Sequence, residues 1–451
     1  MKVKNVFLML LLALPVSMNF SACSDDTVLS SVISDAEESS SDESSILSFT
    51  INSSSVGSVH YETRSVYDSG VQHAEETKIV TLNVYLFEQS SSATAHTDDD
   101  YVFYKSYSLT EETSSTSPTV DETFYSSSTS TEGQLTITKE MLGKYVKVVL
   151  IANDTPAGVT LTAGTTTLST FKENAKASVT MGSAPHADVL VGYPQGYDAN
   201  GSDVDVTGFP MSATATEATT DGSTGNDYVC LGIMGVEMEA TLVRTMARID
   251  VFNWMPNLTI TDLYVSQTPN ASYLFAQDDC TPPATTNKSK TTSYISIYPM
   301  LEYCSESSNF AFTPVSYVTT SDDTDEDTAA ASNTLWHALY MYEQAVSSSS
   351  TYIPTITISY EIDLTGDSST SSVRTGTVSI PFAITDTSGK VNYVDVERNH
   401  YYVVQLGEGN RVTGDAIAAS ITVADWYNDS GDDSTELVIN TYLGTGDTLS
   451  N

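Results

Sequence analysis

Short runs of alternating apolar and polar residues, separated by loops rich in serine and threonine, recur along the chain and leave little room for anything but β-structure. Ile79 to Phe87 (IVTLNVYLF) is apolar on both faces, as expected of a central strand covered on both sides. Tyr101 to Leu109 alternates more cleanly, and Gln134 to Thr138 and Val146 to Ile151 add two further strands. The second half repeats the style in Leu258 to Val265, Tyr294 to Tyr298, Ala338 to Tyr342, Ile353 to Leu364, Val373 to Phe382, His400 to Leu406 and Ala418 to Val423. One short helix is expected over Leu168 to Lys176. The expected fold is therefore all-β, with two β-sandwich domains in tandem. Val236 to Val251 (VEMEATLVRTMARIDV) suits either helix or strand; one long two-sided strand is favoured, with the domain boundary near Asn253 to Pro256.

Two terminal stretches stand apart. Near the start, Leu47, Phe49 and Ile51 alternate with Ser48, Thr50 and Asn52, a strand with one buried face. The Ser/Gly/Val segment after it ends in Arg64, its only arginine or lysine, followed by Ser65, which is what a trypsin-like protease requires. Near the end, past Trp426 and a Gly/Asp/Ser turn, Glu436 to Leu443 places Leu437, Ile439 and Leu443 on one face. One surplus terminal strand thus meets one N-terminal strand that can be cut away. The first is read as a removable plug and the last as the strand of another chain that takes its place.

The N-terminus carries an export pattern. Lys2 and Lys4 precede an apolar run from Val6 to Met18, and Phe20-Ser21-Ala22-Cys23 closes it. The run is short for a membrane span. A cysteine directly after Ser-Ala is the arrangement of a bacterial lipoprotein signal, so Cys23 is the expected lipidated residue and the outer membrane the expected anchor. Ser24-Asp25-Asp26 resembles the acidic tag of lipoproteins displayed outside the outer membrane in Bacteroidetes. Thr27 to Ser45 is mostly Ser, Asp and Glu, which suits a spacer. The expected division is a signal over 1–22, a propeptide over 23–64, sandwiches over 65–253 and 254–433, and a donor tail over 434–451.

Fifty-eight acidic residues against 18 basic ones give the 451-residue chain a formal net charge of -40, which excludes nucleic acid as a natural partner. Catalysis has no visible seat: the six histidines are scattered, with neither HExxH nor GxSxG. His400 beside Arg398 is read as structural. Asp323-x-Asp325-x-Asp327 lacks the glycine of a calcium loop and has Thr334 where a bidentate glutamate is needed, so no metal and no cofactor is expected. Cys280 and Cys304 can form one disulfide, and Cys230 is expected to be a buried free thiol. Arg244 and Arg248 are expected to form salt bridges or cover a sheet.

Several segments, in order, resemble the fimbrillins, the FimA-type and Mfa-like major pilus subunits of Bacteroidetes. They are the lipoprotein start, Arg64 after the first strand, Lys78 to Phe87, Lys147-Val-Val-Leu-Ile-Ala-Asn153, Phe209-Pro-Met-Ser212, Leu242 to Ile249, Leu339-Tyr-Met-Tyr-Glu343, Val396-Glu-Arg-Asn-His-Tyr-Tyr402 and Ile421-Thr-Val-Ala-Asp-Trp426. The long Ser/Thr inserts and Tyr442 depart from the pattern. The resemblance implies two transthyretin-like sandwiches and assembly by strand exchange: an arginine-specific protease cuts after Arg64, the first strand leaves, and a neighbour's C-terminal strand fills the groove. It implies other copies of the chain or related subunits as partners and a mature form in an extracellular pilus; the cut site together with the spare C-terminal strand points to a shaft position. A surface lipoprotein that binds glycans or host proteins, as a monomer or at a pilus tip, is the alternative.

Overall fold

The computed structural model describes residues 45–52, 78–93, 95–112, 122–126, 130–178, 208–219, 225–232, 235–253, 258–277, 280, 282–283, 294–297, 337–363, 373–385, 390–406, 412–413, 416–417, 419–425 and 435–439. Within them the chain is almost wholly β-structure. Its first half supplies β1 (Ser45–Asn52), β2 (Leu82–Gln89), β3 (Tyr101–Glu111), β4 (Thr123–Ser126), β5 (Ser130–Ile137), β6 (Tyr145–Ala152), the helix α1 (Leu168–Asn174), β7 (Met211–Thr214), β8 (Thr216–Glu217), β9 (Val229–Cys230), β10 (Val236–Ala240) and β11 (Val243–Arg244). These eleven strands join in the order β11-β7-β6-β2-β3-β4-β5-β1-β10-β8, with β9 on β6.

The two-faced run expected near residue 80 is β2, and the reason for its composition is visible. Leu82, Val84 and Leu86 point into the main core, whereas Tyr85 and Phe87 join a second core closed by Leu168 and Phe171 of α1 and by Phe275. The aromatic rings of Phe87 and Phe171 lie 5.4 Å apart, centroid to centroid. The Thr167 side chain caps α1 by accepting from the Thr170 amide at 3.1 Å.

The second half contributes β12 (Met246–Asn253), β13 (Leu258–Pro269), β14 (Tyr294–Ile297), β15 (His337–Tyr342), β16 (Thr355–Asp363), β17 (Val373–Pro381), β18 (Ala383–Thr385), β19 (Val391–Tyr393), β20 (His400–Leu406), β21 (Val412–Thr413), β22 (Ala416–Ile417), β23 (Ala419–Asp425) and β24 (Thr435–Ile439). One sheet runs β15-β12-β20-β23-β24 and another β14-β13-β16-β17, with two small hairpins beside them. The main core is continuous from Leu47 to Val404, so both halves of the sequence bury apolar surface together.

The long strand expected over Val236 to Val251 does not form. Three shorter strands replace it, and each has its own partners: β10 pairs with β1 and β8, β11 with β7, and β12 with β15 and β20. The breaks fall where long-range hydrogen bonds change partner: the Thr245 amide still donates to the Pro210 carbonyl beside β7 at 3.1 Å, whereas the Met246 carbonyl accepts from the Asn399 amide at 2.8 Å. Side-chain alternation continues across such breaks, so it does not reveal them.

A buried cation lies on β6 beside this core. The Lys147 ammonium is 2.7 Å from both Asp98 and Asp227, and Lys172 reaches Asp98 at the same distance. Burial alone would raise the Asp98 pKa, but hydrogen bonds and charge from the two lysines outweigh it and hold the carboxyl below its ordinary 3.8. Burial likewise opposes the charge of Lys147, yet the two carboxylates carry its pKa above 10.5. The depressed Asp98 value makes its contribution complete above the unfolded pKa and lost as pH falls through the folded one; the raised Lys147 value makes its own complete below 10.5 and lost above. Comparing urea midpoints of the natural chain and Lys147→Met should therefore give a gap that is constant from about pH 5 to 9 and shrinks toward either extreme.

Candidate functional site

The first strand is held on both sides. β1 runs antiparallel to β5, from Ser45 opposite Ile137 to Asn52 opposite Ser130, and parallel to β10, from Leu47 opposite Val236 to Ile51 opposite Ala240. Leu47, Phe49 and Ile51 are buried, whereas Ile46 is 54% exposed. Ser48 Oγ donates to the Val236 carbonyl at 3.3 Å. Burying three such side chains contributes about 1.5–3 kcal/mol each, in addition to hydrogen-bond ladders on both edges.

Phe49 marks the tightest point. Across β5 it faces Gly133, and a Cβ built there would lie 2.2 Å from ring carbons of Phe49. The ring therefore lies over bare backbone. Gly133 is itself opposite Phe124 on β4, so one row across the sheet reads Phe124, Gly133, Phe49, Met238. Without β1, β5 and β10 would each expose an unpaired edge, and the space above Gly133 would lack its ring.

Of the other expected site residues, Cys23, Arg64, Ser65 and Leu443 lie outside the described residues. Leu437 and Ile439 belong to β24, which runs antiparallel to β23 with Leu437 opposite Ile421 and Ile439 opposite Ala419. The cysteine readings change. Cys280 is a free thiol, which excludes a Cys280–Cys304 bond; Cys230 is the disulfide-bonded one, its partner outside the described residues. Burial, and then the carboxylates of Glu343, Glu397 and Asp395, push the Cys280 pKa up to about 11 and keep the thiol unreactive.

The segments that carry the resemblance meet in two places. Asn153, in the left-handed region at φ 59°, accepts from the amide of Val80 at 2.7 Å and donates to the carbonyls of Lys78 and Phe209 at 2.7 and 2.9 Å. Gly208 beside it, at φ 71°, has no room for a Cβ because Asn153 Nδ2 would stand 2.2 Å away. The second meeting point is a buried ion pair: Arg398 donates Nε to Glu343 at 2.7 Å and Nη2 to its other oxygen at 2.5 Å. The same guanidinium donates to the carbonyls of Leu274 and Tyr273, each at 2.8 Å. Ser212 Oγ donates to that Leu274 carbonyl too, at 2.6 Å, and the Phe209 and Tyr340 rings pack 4.8 Å apart. Arg244 and Arg248 are fully buried, and Arg244 donates to Asn399 Oδ1 at 3.2 Å. His400 Nδ1 is 2.9 Å from the Arg398 carbonyl, a structural bond.

No protein-family model matches the chain, and no curated protein matches it. Solved structures do. The tip fimbrial protein Mfa3 of Porphyromonas gingivalis, with a C-terminal truncation, is 12% identical over 84% of this chain and 100% of its own, at a TM-score of 0.39. A fimbrial assembly protein of Parabacteroides distasonis is 12% identical over 88% of this chain and 98% of its own, with a TM-score of 0.38. The fimbrial anchor protein Mfa2 of P. gingivalis is 10% identical over 88% of this chain and 100% of its own, at 0.32.

Proposed function

We propose that the chain is a subunit of an adhesive cell-surface pilus, exported as a lipoprotein through Cys23 and assembled by strand exchange after cleavage between Arg64 and Ser65. The observation that supports this reading most is the position of β1: it comes first among the described strands yet is inserted between two others. A strand that closes a sheet edge can be lost cheaply, whereas one in the middle leaves two edges and an apolar slot. While the connection from Asn52 to Leu82 is intact, β1 competes for that slot at high effective concentration. Cleavage within the connection abolishes that advantage, and a neighbour's strand carrying Leu437, Ile439 and Leu443 adds by β-augmentation. Because slot and tail are different surfaces, the contact is head-to-tail and propagates as a filament.

Treating the full precursor with an arginine-specific protease should give ladders on a non-boiled gel, and deleting Glu436 to Asn451 should remove them. A monomer after complete cleavage would refute the reading. One observation favours a second position. The pairing of β24 with β23 engages the tail in its own sheet, which suits a tip subunit or a monomeric adhesin better than a shaft subunit.

A further inference from the structure

We propose that the slot vacated by β1 prefers a strand with an aromatic residue at its centre, so that the tail of a different subunit carrying such a residue fills it more tightly than the tail of a second copy of this chain. The inference rests on the strand-exchange reading above. It starts from unequal rows across the slot. Leu47 is flanked by Leu135 and Val236, and Ile51 by Thr131 and Ala240, so side chains stand on both sides of each. Phe49 has Met238 on one side and Gly133 on the other, with its ring over the missing Cβ. A leucine or isoleucine in that place leaves a ring-shaped void whose lining loses contact on one side.

The chain's own tail cannot fill it well. Its apolar face reads Leu437, Ile439, Thr441, Leu443, with no ring. Tyr442 falls on the opposite face with Glu436 and Asn440. Thr435–Ile439 is, moreover, hydrogen-bonded to β23 and would have to leave that sheet before donating.

The test uses the full chain cut after Arg64 and three fluorescent peptides: residues 46–52, the same peptide with Phe49→Leu, and residues 435–443. Anisotropy should show the phenylalanine peptide binding about tenfold more tightly than the other two. Gly133→Ala should reduce that preference to about twofold, and the comparison on the natural chain decides the matter if this variant fails to fold. Equal affinity for the phenylalanine and leucine peptides overturns the inference while leaving strand exchange intact. Tightest binding of the 435–443 peptide also overturns it, in favour of a second copy. Binding of none of the three overturns strand exchange itself and the inference with it.

Discussion

Replacing Arg398 with methionine is expected to destabilise the chain by about 3–5 kcal/mol, among the largest single-residue effects the fold offers. The guanidinium is buried against a buried Glu343 and also serves the carbonyls of Tyr273 and Leu274. Methionine fills much of the volume but leaves a carboxylate without its counter-charge and takes one donor from each of two carbonyls, which keep only a serine hydroxyl. Removing both charges is a different matter. The double variant Arg398→Met, Glu343→Leu should recover a large part of the loss, because an uncharged pair of similar volume needs no compensation. Chemical denaturation of the single and double variants checks this; a double variant no more stable than the single would locate the cost in packing or in the carbonyls rather than in the stranded charge.

Phe49→Ala comes next, with an expected loss of about 3–5 kcal/mol. Ordinarily neighbours relax into the space that such a truncation leaves. Here one neighbour is Gly133, which has no side chain to move, and Phe124 is on the far side of it. The loss should be concentrated along β1: amide exchange should accelerate on β5 and β10 well before it does on β16 or β20. Thr50→Ala, on the half-buried face of the same strand, should change stability by less than about 0.5 kcal/mol. Uniform acceleration across both halves of the chain would mean that β1 does not open independently.

How much of this was legible beforehand follows from the range of the interactions involved. Two-residue alternation reports a local fact, which face of a strand is apolar, and so Leu47, Phe49 and Ile51 were readable as one buried face and β2 as a strand covered twice. Breaks in Val236 to Val251 were not, since alternation persists while the hydrogen-bonding partner changes from β1 to β7 to β15. The cysteines failed for the same reason: pairing depends on spatial neighbours, and spacing alone led to Cys280 in place of Cys230. Gly133 left a faint trace, a glycine immediately before the alternating run Gln134 to Thr138, where a glycine in a strand signals close approach of a neighbour. The Glu343–Arg398 pair was marked only by the resemblance of the segments that hold it, because charged residues are usually at the surface and nothing local shows these two as buried.

The mixed pairing of β1 has a consequence for polarity. Turning an occupant of the slot end for end would make it parallel to β5 and antiparallel to β10, one neighbour of each kind as before, so the backbone ladders alone scarcely distinguish head-first from tail-first entry. Direction must then come from the order of side chains along the incoming strand and from the side at which its own body waits. A growing fibre built on such a joint would keep its sense through the lettering of its tails, and a palindromic tail would lose it.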